Sequence, residues 1–289
     1  GKLDKAEALL KTLQREYRFS AQVTSALADF VANEGDIEQG IDLYRRAIWL
    51  QMLKTQDTRF TRLALIQLLL ELNHLEEARD EIEMVLRLQP ENTSAYQLLG
   101  DLYRKENQPG LAMQAYQRAL DLDPTQATTY TSLWDQYQQE AVPPNETLAL
   151  MQKATEVNPR QVVLLMSLAD QLRDLGNSEG AVETYQSALT LIEEGNLAAR
   201  MSRVQTRRMQ GVTYSRLAAL HEDMGLLDRA MNYYQAAVAA GLDQPWSRVA
   251  LGDALRRRNL VGAARAAYQR AIEEDPTYVD AYLSLADLL

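Results

Sequence analysis

The chain has 289 residues, with 30 Lys and Arg against 40 Asp and Glu, a net charge of -10, 46% hydrophobic residues and no cysteine. That apolar content can build a large core and excludes a disordered polymer, while the lack of cysteine excludes disulfide scaffolds, thiol catalysis, iron–sulfur clusters and thiolate zinc sites and leaves the compartment open. No apolar run reaches the roughly 18 residues that span a bilayer, the longest, Leu63 to Leu70, being broken by Gln67, and the acidic balance argues against a nucleic-acid partner, because phosphate binding needs a basic field.

In chain order, residues 1–20 predict one helix, with Ala6 and Leu10 in register with second helices further on. From residue 21 helical hairpins follow one another at a period of about 34 residues. The unit 21–58 holds Leu27, Ala28, Gly35, Tyr44 and Ala47, and carries about four extra residues near Trp49 to Thr58, read as a longer second helix or loop. The unit 59–92 holds Leu65, Ala78, Ile82, Val85 and Pro90. The most regular copy is 93–126: Tyr96, Leu99, Gly100 and Tyr103 lie on a first helix, Ala112, Tyr116, Ala119 and Leu120 on a second, and Pro124 closes the unit. The unit 127–161 departs most, since Trp134 stands at the small position and the turn reads Val142-Pro143-Pro144-Asn145, which predicts a wider gap between its helices. The unit 162–210 holds Leu168, Ala169, Gly176, Ala181, Tyr185 and Ala188, plus an insertion at 196–210. Then come 211–244, with Tyr214, Leu217, Ala218, Gly225, Ala230, Tyr234 and Ala237, and 245–278, with Leu251, Gly252, Leu255, Ala264, Tyr268, Ala271, Ile272 and Pro276. Residues 279–289 open a further first helix through Tyr282, Leu285 and Ala286.

This phrase resembles the tetratricopeptide repeat, which has those residue types in that order. The resemblance covers essentially the whole chain and implies an all-α fold, a right-handed solenoid of stacked helix-turn-helix hairpins, with residues 1–289 a single array. The physical logic is packing: Gly100, Ala169, Ala218 and Gly252 let two helices approach, with Ala112, Ala181, Ala230 and Ala264 opposite, and Tyr116, Tyr185, Tyr234 and Tyr268 fill the groove between units. Gly35, Gly176 and Gly225 suit turns of positive φ, and Asn73, Asn107 and Asn259 are the next best choice. Pro90, Pro124, Pro159 and Pro276 stop second helices. An array normally ends in a polar capping helix, yet Leu288-Leu289 lies inside an apolar pattern, so the natural protein is expected to continue at one or both ends.

The insertion predicts a longer following helix, capped at Asn196, with apolar Leu197, Met201 and Val204 at helical spacing. Arg200, Arg203 and Arg207 share one face, with Arg208 beside them, and no acid occurs between Gly195 and Arg216. That stripe would suit a carboxylate- or phosphate-bearing partner; a solvated helix face is the simpler account.

Ligands of the family usually lie along first helices. By register this groove would present Asp29, Gln67, Asp101, Asp135, Asp170, Asp253 and Asp287, with Arg104, Arg173 and Arg256 three residues after three of them. Such a surface would select basic or hydrogen-bonding extended peptides, with Trp246 and Met166 as apolar anchors; the alternative is that the repeat merely tolerates short polar residues there. The Lys and Asn clamp by which some members grip chaperone tails is missing, its places being held by Ser25 with Asp29, Gln97 with Asp101 and Met166 with Asp170.

Catalytic signatures are lacking. His74 and His221 fall in different units and read as structural, and there is no glycine-rich phosphate loop, His-Glu-x-x-His or nucleophile elbow. Arg256-Arg257-Arg258 points around a helix rather than along one face. The reading is a non-catalytic scaffold without cofactor or metal that binds another protein or an extended peptide, neither entering a membrane nor binding nucleic acid. Self-association through open ends is a further expectation. The alternative is the targeting region of a larger enzyme or secretion (exopolysaccharide export) system.

Overall fold

The computed structural model describes residues 9, 12–13, 15–194, 202–240 and 245–288. Among the described residues there are helices and turns and no strand. The chain divides into two compact units, Gly1–Val142 and Pro143–Leu289. The first holds α1 (Ala21–Asn33), α2 (Ile37–Leu53), α3 (Arg59–Glu71), α4 (Leu75–Leu88), α5 (Thr93–Lys105), α6 (Pro109–Leu122) and α7 (Ala127–Gln139). The second holds α8 (Pro144–Val157), α9 (Val162–Asp174), α10 (Ser178–Glu193), α11 (Arg203–Asp223), α12 (Leu227–Ala239), α13 (Pro245–Arg257), α14 (Val261–Glu274) and α15 (Val279–Ala286). The division falls inside the least regular repeat, between α7 and α8.

Within each unit consecutive helices pair as hairpins, α1 with α2, α3 with α4 and α5 with α6, then α9 with α10, α11 with α12 and α13 with α14. Each second helix packs on the first helix that follows it in the same unit, so hairpin stacks on hairpin. First helices α1, α3, α5, α7, α9 and α13 are 13 residues long. The two departures from the period lengthen helices: α2 has 17 residues and α11 has 21.

The small and large positions of the repeat form the core. Ala112, Ala119, Ala181, Ala188, Ala230, Ala237, Ala264 and Ala271 are fully buried, as are the rings of Tyr116, Tyr185 and Tyr268. The tyrosines were expected to fill the groove between units, but at the two glycine positions they cover the small residue of their own hairpin. A Cβ added to Gly100 would stand 2.4 Å from the Tyr116 ring, and one on Gly252 would stand 2.4 Å from the Tyr268 ring. The tyrosine is therefore first a lock within the hairpin.

Turn chemistry follows the backbone. Gly35, Gly176 and Gly225 have φ of 99°, 77° and 74°, and Asn73, Asn107 and Asn259 have 62°, 58° and 61°. Two turns use residues poorly suited to that region, Thr55 at 51° and Ala141 at 49°. Replacing Ala141 by glycine is expected to raise stability by about 0.5–1 kcal/mol, since relief of the Cβ clash exceeds the added chain entropy. A melting temperature that fails to rise would show that this turn carries no such strain. At the far ends of α6 and α14 the same brace recurs: Asp123 Oδ1 accepts from Thr125 N–H at 2.9 Å and Oγ1–H at 2.6 Å, and Asp275 accepts from Thr277 at the same two distances. These bonds hold both carboxyls below the usual aspartate range.

Candidate functional site

The first-helix aspartates are also acceptors for the core. Tyr116 donates to Asp101 Oδ1 and Tyr268 to Asp253 Oδ1, each at 2.7 Å, while Tyr44 and Tyr185 donate to Asp29 and Asp170. In all four cases the residues are 15 apart, the separation that brings the ninth residue of a unit opposite its second-helix tyrosine. A buried phenol needs an acceptor, so the periodic aspartate begins as a consequence of the periodic tyrosine. In α11 the register position is Ala219, and Tyr234 turns to Glu222 Oε2 at 2.9 Å. Asp135 is exposed, and the residue 15 further on is Leu150, so no phenol reaches it from that position.

Burial raises Asp101 above the usual carboxylate range despite the opposing Tyr116 hydrogen bond and Arg104 charge. Neighbouring side chains keep some water from Asp135 even though it is exposed, and this raises it too, against the charge of Arg104. The tyrosines shift upward, chiefly by burial, Tyr234 to about 12 and Tyr116, Tyr185 and Tyr268 further, helped by their aspartates. A carboxyl with a raised folded pKa holds its proton more tightly folded than unfolded. Its contribution therefore favours folding at acid pH and weakens as pH climbs through the raised value. Asp101→Asn should lack this slope, so its stability relative to the unaltered protein is expected to improve between about pH 4 and pH 7 in urea melts. A difference that stays constant, or that worsens, would contradict the raised value.

The expected Arg partners are present: Arg104 lies 3.7 Å from Asp101, Arg173 3.8 Å from Asp170 and Arg256 3.9 Å from Asp253. These partly exposed pairs contribute only a few tenths of a kcal/mol. Asp170 takes Tyr185 on Oδ1 and Arg216, from α11, on Oδ2, so both its oxygens are engaged. Asp101 Oδ2 accepts no hydrogen bond from the described residues. In the same unit a cavity of about 270 Å³ opens between α3 and α5, lined by Phe60, Leu63, Gln67, Gln97 and Leu98 among others. Phe60 there is 78% exposed. Gln97 accepts from Thr129 of α7 at 3.2 Å, linking that cavity to the helix that carries Asp135. Met166, expected as an anchor, is buried, and its sulfur accepts from Thr213 at 3.5 Å; Trp246 remains partly exposed.

Arg200 and the expected cap at Asn196 lie outside the described residues. Helix α11 is capped at Ser202, whose side chain accepts from Gln205 N–H at 3.2 Å while Gln205 Oε1 accepts from Ser202 N–H at 2.9 Å. Arg203, Arg207 and Arg208 are exposed on its first turns beside Val204, and none has a carboxylate partner among the described residues. Arg216, on the same helix, is spent on Asp170. Arg256, Arg257 and Arg258 pair with Asp253, Glu222 and Asp228, which removes them as a phosphate site.

The histidines fall in separate hairpins. His221 is buried, with Nδ1 2.8 Å from the Leu217 carbonyl and its ring 5.0 Å from that of Tyr233. His74 stands at the N-cap of α4, with Nδ1 3.8 Å from Glu77.

Stacked hairpins with a small-residue seam and an aromatic lock define a helical repeat protein of the kind that generally serves as a non-catalytic scaffold for proteins or peptides. The tetratricopeptide-repeat profile matches residues 63–127 and 216–289, and over those segments the chain carries tetratricopeptide repeats. It is 25% identical over 278 residues to the Protein CTR9 homolog of Arabidopsis thaliana, covering 90% of this chain and 23% of that protein. It is 24% identical over 195 residues to the Protein O-mannosyl-transferase TMTC1 of Homo sapiens, covering 65% and 22%. The chain thus spans less than a quarter of the length of these relatives. In fold it is similar to the crystal structure of YrrB, described as a TPR protein with an unusual peptide-binding site, with a TM-score of 0.51, 21% identity, and coverage of 72% of this chain and 98% of that one. Among the described residues no helix is long and apolar enough to cross a membrane.

Proposed function

We propose that this protein is a scaffold whose first unit holds a basic, extended segment of a partner protein along the first helices α3, α5 and α7. The observation that carries the reading is Asp135, an exposed carboxylate that feels the same Arg104 as Asp101, on the helix whose Thr129 bonds Gln97 in the lining of the cavity beside Phe60. A lysine or arginine side chain would meet the carboxylates while an apolar side chain fills the cavity. Asp253 is a lesser contact of the same kind in the second unit, and Asp170 contributes least because both its oxygens are taken. The test compares twelve-residue synthetic peptides alternating leucine with lysine or with glutamate. The double variant Asp101→Asn, Asp135→Asn should lose about tenfold in affinity for the lysine series; equal affinity of both proteins for that series would overturn the assignment.

A second surface is favoured by the arginines of α11. Arg203, at the positive end of the helix where cations are disfavoured, and Arg207 and Arg208 a turn further on have no carboxylate partner among the described residues. An acidic segment, with Arg200 as a further contact from the sequence, would relieve that repulsion. Reversing Arg203 and Arg207 to glutamate should leave helicity unchanged and abolish binding of the glutamate peptides at low salt; retained binding would retire the surface.

The partial match to a transferase supports the reading that these repeats serve as the assembly region of a larger enzyme or export system. The length of the natural polypeptide decides between that and an independent scaffold.

A further inference from the structure

The repeat supplies its own control for a slot on the second-helix side. In the first unit, the seam between α4 and α6 across α5 carries two contacts of an arginine with an aromatic ring. Arg118 lies 5.9 Å from the centre of the Tyr96 ring, and Arg79 lies 5.6 Å from that of Tyr103. The same register in the second unit, between α12 and α14 across α13, has Arg248 for Tyr96, Leu255 for Tyr103, Ala239 for Arg87, Ala263 for Leu111 and Ala266 for Gln114. Every one of these exchanges but the first shortens a side chain. The first turns an aromatic ring into a cation that pairs with Glu274.

Where the second unit carries these shorter side chains a slot of about 390 Å³ opens, walled by Val238, Ala239, Leu251, Leu255, Ala263 and Ala266. Its size lies in the range of roughly 300–1,000 Å³ of clefts that take ligands. Arg270 also lines it. Its counterpart Arg118 rests on Tyr96, but at Arg270 that ring is replaced by another arginine, and Arg270 has no carboxylate partner among the described residues. Arg248 lines the slot too but is paired with Glu274, which leaves the Arg270 guanidinium beside the apolar walls to favour a carboxylate, because a charge pair gains strength where water is displaced.

We propose that this slot docks a partner segment that inserts one large apolar side chain and sets an adjacent carboxylate against Arg270. The site is separate from the first-helix face and does not depend on it. The probes are 3-phenylpropionate and 3-phenylpropylamine, which share a ring and differ in charge, observed through alanine methyl resonances of the whole chain. The propionate is expected to shift the Ala239, Ala263 and Ala266 methyls saturably at millimolar concentration, and the amine is not. Ala263→Leu and Ala266→Gln restore the residues that the first unit has at this register, so each should fold, and the bulk added to the wall of the slot should cost the response. Arg270→Gln should weaken the propionate at least about fivefold with an unchanged melting temperature. No methyl shift up to about 10 mM propionate, equal response to both probes, or full response in both filled variants would overturn the proposal.

Discussion

Truncating Tyr116 to alanine is expected to destabilise the first unit by about 3–5 kcal/mol, the range for large aromatic side chains removed from a core. The ring is fully buried over Gly100, and glycine has no side chain with which to collapse into the void. Tyr116→Phe keeps the ring and loses only the hydroxyl, so it should cost about 1 kcal/mol, the worth of a hydrogen bond whose acceptor regains water. Asp101 is only partly buried and can be resolvated. Urea unfolding of the two variants separates packing from hydrogen bonding. Similar losses for both would mean that the hydroxyl, and not the ring, holds the hairpin.

The second large effect belongs to Gly252. A valine there is expected to cost about 3 kcal/mol, the upper end for overpacking a filled core, because its Cβ falls 2.4 Å from the Tyr268 ring and its two methyls follow. Alanine should be far milder, about 1 kcal/mol. The hairpin of α9 and α10 already places Ala169 at this position, with Tyr185 still fully buried, so the ring can give way to one methyl. Combining Gly252→Val with Tyr268→Leu should recover part of the loss. An additive double variant would show that the two side chains do not meet.

Much of the fold was legible because its signals are local. A left-handed turn residue admits few side chains, which is why Gly35, Asn107 and Asn259 marked turns correctly, whereas Ala141 and Thr55 disguised theirs. The longer helix α11 was also readable, whereas its capping box, Ser202 with Gln205, competes in the sequence with the Gly195-Asn196 signal six residues earlier. The bonds from tyrosine to aspartate left a usable trace, since residues 29 and 44, 101 and 116, 170 and 185, and 253 and 268 recur as pairs. Reading the aspartates alone, as a line along a groove, missed it because their partners lie on another helix. The slot beside Arg270 had no local signal, for it arises from shortened side chains on three helices together.

The bond from second-helix phenol to first-helix carboxylate never leaves its own hairpin. Duplicating or deleting a whole repeat therefore carries both partners of this bond along, so a change in the length of the array leaves no buried phenol without its acceptor. Ala219 shows the tolerance of the scheme, because Tyr234 there borrows a glutamate one turn further on. What inheritance must preserve is an acceptor within reach, not the residue that provides it.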